Sequence, residues 1–133
     1  MILPDGIERG VWRGKVRLVE DDRILTTDEW AYGNLLHSLD DPDTVHIYDF
    51  ATGSYLLVDK DTIGEYTTVR DDEGNPIFEG DIVEGITYNN YTVRGEVVLH
   101  DGAFGVRTKQ GFIPFLDLKS LKVIGNIYTN REK

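Results

Sequence analysis

Apolar and polar residues alternate with a period near two over most of this chain, the pattern of half-buried β-strands. Residues 12–20 read as a strand, with Val16 and Leu18 on one face and Lys15 and Arg17 on the other. Glu20-Asp21-Asp22-Arg23 follows as a turn. Thr26-Thr27-Asp28-Glu29 has the chemistry of a helix cap, but Trp30 and Tyr32 at alternate positions, followed by Gly33, predict a strand that Leu35 and Leu36 continue. Asp40-Asp41-Pro42-Asp43 breaks the pattern. Residues 45–50 and 54–58 are then two apolar runs around Ala51-Thr52-Gly53, the layout of a hairpin. Ahead of all this, Pro4, Asp5 and Gly6 make residues 1–11 a loosely held lead-in.

The clearest stretch lies in the middle, TIGEYTTVRDDEGNPIFEGDIVE at residues 62–84. Tyr66, Thr67, Thr68 and Val69 favour a strand because they are β-branched or aromatic. Asp71, Asp72, Glu73, Gly74 and Asn75 make a polar turn, and Pro76 bars any helix through that point. Ile77 and Phe78 restart the apolar pattern before a corner at Glu79-Gly80-Asp81. The remainder predicts closely spaced strands at residues 82–88, 91–99, 104–108, 111–115 and 123–128. Their turns, Asn89-Asn90 and His100-Asp101-Gly102, tolerate positive φ. Five short strands with glycine-rich corners suit a small, strongly bent barrel. No window of about 11 residues holds a helical apolar period, and residues 116–123 are the best place for a short helix or 3₁₀ turn.

The central stretch resembles the signature of the YopX family of bacteriophages and of prophages in Gram-positive bacteria. Two other pieces agree in order: Trp12-Arg13-Gly14-Lys15 followed by Trp30-Ala31-Tyr32-Gly33, and Lys122-Val123-Ile124-Gly125-Asn126-Ile127-Tyr128. The resemblance spans nearly the whole chain. It implies one YopX-like domain over residues 1–133, divided into an N-terminal β-rich part (1–61) and a signature hairpin plus C-terminal SH3-like barrel (62–133). Self-association is also implied. The family has no assigned reaction, so no catalytic residue carries over. The chain departs from the family pattern in its longer lead-in at residues 1–11 and in its ending, Arg131-Glu132-Lys133, where an acidic ending is commoner.

At 133 residues with 40% hydrophobic residues, the chain is long enough to bury a core. The absence of cysteine excludes disulfides, thiolate metal sites and a cysteine nucleophile. No apolar run approaches the ~20 residues of a membrane span, and the first residues lack a basic region and an apolar signal core. The expected location is the cytoplasm of a bacterial host cell, with no membrane partner. Net charge is −10, unevenly spread. Residues 1–66 hold 14 acids and 6 bases, a net of −8, and residues 67–133 hold 10 acids and 8 bases, a net of −2. Proteins that neutralise phosphates show the opposite balance.

Candidate chemistry is sparse. His37, His46 and His100 are the available near-neutral bases, and they lie in three different segments. His37 with Asp40, Asp41 and Asp43 has oxygen ligands at short spacing but lacks the glycine and distant glutamate of a calcium loop. Asp71, Asp72, Glu73 and Asn75 invite the same idea and read instead as the tip of the signature hairpin. Ser38, Ser54 and Ser120 sit in no nucleophile elbow, and no phosphate loop or other cofactor motif is present. Trp12, Trp30, Tyr32, Tyr66, Phe104 and Tyr128 are candidates for a binding platform, although a β-domain of this size needs aromatic residues in its core.

The expected catalytic, cofactor and metal residues are therefore none. The candidate interaction surface is Tyr88, Asn89, Asn90 and Tyr91, a polar turn flanked by two tyrosines. The leading expectation is a non-catalytic phage accessory protein that works by self-assembly or by binding a host or phage protein. An alternative is a nucleic-acid-binding module using Arg94, Arg107, Lys109, Lys119 and Lys122 in the less acidic half. A small hydrolase is a third reading.

Overall fold

The computed structural model describes residues 7–129. The chain is built almost wholly of antiparallel strands, and its only helical pieces among the described residues are two 3₁₀ turns, Lys60–Thr62 and Phe115–Asp117. It divides into two compact units, Met1–Glu65 and Tyr66–Lys133.

The first unit contains β1 (Ile7–Glu20), β2 (Arg23–His37), β3 (Val45–Asp49), β4 (Ser54–Val58) and the start of β5 (Gly64–Arg70). β2 pairs with both β1 and β3, β3 with β4, and β4 with β1 through Val16 and Val58, so these four strands close a ring. The Asp59 amide donates to the Lys15 carbonyl at 2.9 Å and reinforces the closing contact. Inside the ring lie Val16, Ala31, Leu35, Val45, Ile47 and Val58, with Trp12, Leu56 and Ile63 packed around them. Alternation in β3 shows why: Val45, Ile47 and Asp49 are buried, whereas His46 and Tyr48 are half-exposed. A ring of so few strands must bend tightly, and Gly33 allows it. A Cβ on Gly33 would stand 1.8 Å from the Tyr48 carbonyl oxygen.

One expectation for this unit needs correction. Ile7–Val11 is not a loose lead-in but the start of β1, with Ile7 opposite Leu36 and Glu8 opposite Leu35. Cross-strand pairing outweighs the weak local propensity, and the irregularity is confined to the register shift between Glu8 and Trp12, where Gly10 has a φ of +132°. Residues 1–6 lie outside the described residues. Val16 and Leu18 lie on one side of β1, as alternation predicts, but only Val16 is core. The ring closes at Val16, and β1 runs on beyond it, which leaves Leu18 53% exposed.

The second unit takes the rest of β5, then β6 (Pro76–Phe78), β7 (Asp81–Thr87), β8 (Thr92–His100), β9 (Ala103–Thr108), β10 (Gly111–Pro114) and β11 (Leu118–Asn126). Strands β7 to β10 form a meander, and β11 returns to pair with β7, giving the order β10-β9-β8-β7-β11. Ile77, Val83, Val97, Val106, Leu118 and Leu121 form its core. The five strands expected in this half are all present, within a residue or two at most of their ends. The exception is β11, which starts at Leu118, because the expected short helix shrinks to Phe115–Asp117.

The signature hairpin pairs β5 with β6, but Thr68 has a φ of +69°, so the expected even strand carries a bulge between Tyr66 and Arg70. Thr67 holds the bulge, donating its hydroxyl to the Ile77 carbonyl at 2.8 Å. The corner after β6 is tied by Asp81, 2% exposed, whose carboxylate accepts the Phe78 amide at 2.8 Å. Gly80 sits there with a φ of +90°, and a Cβ at that position would come within 2.9 Å of the Tyr128 ring.

Candidate functional site

The residues that promise chemistry in the sequence are mostly consumed by the fold. His37 and His46 are neighbours across β2 and β3, yet His37 is opposite Val45 and His46 opposite Leu36, so their side chains leave opposite faces of the sheet. His100 lies on β8, stacked 4.9 Å from Phe112. Among the described residues no group of three or more histidines and carboxylates is placed to hold a metal ion.

Both candidate calcium loops are turns held by their own acids. Asp41 accepts the Asp43 amide at 3.0 Å and the Thr44 hydroxyl at 2.7 Å, and Asp43 pairs with Lys60 at 2.5 Å. The Thr44 hydroxyl, then the Asp43 amide, hold the Asp41 carboxyl below its ordinary pKa. Asp71 is 6% exposed and points inward. It accepts the amides of Asn75 at 2.8 Å, Glu73 at 3.0 Å and Val123 at 3.0 Å, with the Asn75 side chain at 3.3 Å. Burial pushes its pKa up, but those donors, Val123 foremost, outweigh burial and leave it below the ordinary carboxylate value. Asp49 plays the same part after β3, accepting the Tyr32 amide, the Thr52 amide and the Thr52 hydroxyl within 3.1 Å.

Four of the five candidate nucleic-acid contacts are already engaged. Arg94 stands opposite Glu84 in the ladder and Arg107 opposite Glu96, and each pair meets at 2.8 Å. Lys122 reaches Glu73 at 3.6 Å, and Lys119 bonds the Asn90 side chain. Lys109 is the fifth and is exposed. This face of the sheet alternates in sign along the ladder, which is the arrangement of a solvated surface.

Most of the candidate platform aromatics pack within the units. Trp12 covers the ring core, Tyr66 meets Phe78 at 5.5 Å, and Tyr128 lies against Gly80. Trp30 carries the Arg13 guanidinium at 4.5 Å and the Lys15 ammonium at 5.6 Å from its ring. That stacking lets two cations of β1 lie at 6% exposure each. Tyr32 is more open, at 40% exposure.

Tyr88 and Tyr91 are each 68% exposed, as a contact surface requires. Between them the turn is built by Thr87, which accepts the Tyr91 amide at 3.0 Å, and by Asn90 with a φ of +69°. A groove of about 570 Å³ runs beside Tyr88, lined by Thr87, Asn89, Ile113 and Asp117.

The surface that sequence reasoning missed is the far end of the β1–β2 hairpin. The pairs Arg17–Thr26, Leu18–Leu25, Val19–Ile24 and Glu20–Arg23 extend beyond the ring as a two-stranded arm. Asp21 and Asp22 turn it with φ of 50° and 62°, the conformation of a two-residue hairpin loop. No strand among the described residues pairs with either outer edge of the arm. Its aliphatic side chains stay in water: Val19 is 69% exposed and Ile24 51%, beside Leu18 and Leu25. Four adjacent exposed aliphatics on an unpaired ribbon are the kind of surface that soluble proteins cover with a partner. The sequence held the signal, since Leu18-Val19 and Ile24-Leu25 are consecutive apolar pairs flanking a turn, where simple alternation would give one apolar residue in two.

A family model described as YopX protein matches residues 25–133. No curated protein and no solved structure matches the chain.

Proposed function

The chain belongs to the YopX family, and from that premise we propose that it is a non-catalytic accessory protein of phage or prophage type that acts by protein–protein contact, first of all with copies of itself. The β1–β2 arm carries this reading. Exposed aliphatic residues cost free energy in water and unpaired strand edges are templates for pairing, and a second polypeptide satisfies both at once. Three of the acids, Asp41, Asp49 and Asp71, are engaged in holding turns, which supports this reading. The arginines that would serve a phosphate track already face glutamates. No helix among the described residues is long and apolar enough to cross a membrane, and the proposed setting is the cytoplasm of the bacterial host.

Light scattering tests this. The protein is expected at a multiple of its 15.1 kDa chain mass at micromolar concentration. Val19→Asp with Ile24→Asp is expected to shift it to the single-chain mass while leaving the circular dichroism spectrum unchanged, because both side chains already stand in water in the isolated chain. A wild-type protein that stays at the single-chain mass up to high micromolar concentration overturns the self-association reading.

A further inference from the structure

We infer that the arm of one copy seats in a specific groove of another copy, the one over β8, β9 and β10. This deepens the self-association proposed above and rests on it. The groove measures about 550 Å³ and is lined by Val98, Leu99 and Phe112 with His100, Arg107 and Lys109 around them. Phe112 pairs with Arg107 and Arg107 with Glu96, and strand alternation puts Val98 and His100 on that same face, so Val98 and Phe112 give the groove an apolar floor beside its basic groups. The arm is the counterpart in both respects. Its walls are Leu18, Val19, Ile24 and Leu25, and its tip is Glu20-Asp21-Asp22.

Charge decides which occupant fits. The chain as a whole is at −10, so two copies repel at long range, and contact needs a place where the signs are opposed. The arm tip places three acids together, all exposed, against a single base, Arg23, which stands opposite Glu20. The groove places His100, Arg107 and Lys109 together in the half of the chain that is nearly neutral. Arg107 shares its charge with Glu96 at 2.8 Å and His100 lies 3.3 Å from Asp101, whereas Lys109 makes no ion pair among the described residues. Lys109 is thus the cation with most to gain from an incoming carboxylate. Aliphatic walls then meet the Val98–Phe112 floor, and the acidic tip meets the basic rim, an anchor-and-rim division of labour common at interfaces. Arm and groove are different patches, so the contact is heterologous; it closes as a dimer when two copies exchange arms, as a larger ring where its rotation closes, and otherwise runs on as an open filament.

Complementary charge reversal, read by light scattering, tests the contact. Glu20→Lys and Lys109→Glu are each expected to weaken association by roughly tenfold, the effect of turning one attractive pair into a repulsive one. An equimolar mixture of the two variants is expected to associate again, because each arm then finds a groove of opposite sign. Asp21→Asn with Asp22→Gly serves as a second arm variant: it removes two charges yet gives the turn its preferred Asn-Gly pair, so its weakened association does not come from an unfolded arm. A wild-type chain that remains at the single-chain mass removes the self-association reading and this inference together. A wild type that associates but ignores both reversals keeps self-association and overturns the arm-in-groove contact. Association lost in either variant and not recovered in the mixture overturns it as well.

Discussion

Asp71→Ala is expected to destabilise the protein by roughly 3 kcal/mol or more, read as a lowered midpoint in denaturant titration with little change in slope. The carboxylate is buried and takes three backbone amides, those of Glu73, Asn75 and Val123. Two of them belong to the signature turn and the third to β11, more than fifty residues away in sequence, so one side chain joins the turn to the sheet. Removing it leaves three part-buried donors without this acceptor, and a group left unpaired in that way costs about 1–3 kcal/mol at full burial. Asp71→Asn keeps the shape but gives up the charge and part of the acceptor capacity, and should cost less than the alanine. The same carboxylate makes stability depend on pH. Its pKa in the folded chain lies below its unfolded value of about 3.9. Its contribution is therefore present in full above that unfolded value and is lost as pH falls through the lower folded one. Asp49, whose pKa is also depressed against the effect of burial, acts in the same direction. In Asp71→Ala the acid-induced loss of stability below about pH 4 should be visibly shallower than in the wild type. An alanine variant with an unchanged midpoint would show that Asp71 is a bystander in its turn.

Gly33→Val is expected to be at least as damaging, about 4 kcal/mol or outright failure to fold, at the extreme of single substitutions. The reason is space. A Cβ at Gly33 would overlap the Tyr48 carbonyl oxygen at 1.8 Å and crowd the Phe50 ring at 3.4 Å. The obstruction is backbone, so no rotamer change relieves it. β2 would have to move away from β3 where Gly33 pairs with Asp49, opening the ring beside its core. Gly74→Ala gives the control. Gly74 has a φ of +85° with nothing near its missing Cβ, so only backbone strain of about 1 kcal/mol is at stake. Equal effects at the two positions would refute the close-approach argument.

Much of the β framework was legible because it rests on local signals. The Ala51-Thr52-Gly53 hairpin, the Asp71-to-Pro76 turn and the glycine at 80 each declare themselves through turn chemistry, and the structure has them where that chemistry puts them. What escaped depends on distance along the chain. Ring closure through Val16 and Val58 joins residues far apart in sequence, and no periodicity announces it. That closure decides that Val16 is core and Leu18, two residues on and on the same side by alternation, is solvent-exposed. Asp71 was legible as turn chemistry, but its bond to Val123 was not, because an acid at a hairpin tip normally points to water. The paired bases show the same limit. Arg94 and Arg107 look like free cations until the register sets them opposite Glu84 and Glu96.

The central claim is that the arm is a contact surface between chains, and amide hydrogen exchange as a function of protein concentration addresses it most directly. In a two-residue hairpin the closing pair Glu20–Arg23 points its amides inward, which turns those of Val19 and Ile24 toward the unpaired outer edges. Measured on the arm peptides, exchange at Val19 and Ile24 is predicted to slow as concentration rises into the associating range and to return to the unprotected rate on dilution. Amides of the ring core, such as Ile47, should show no such dependence. Arm amides that exchange at the same fast rate at every concentration, in a sample that light scattering shows to be associated, would contradict the account.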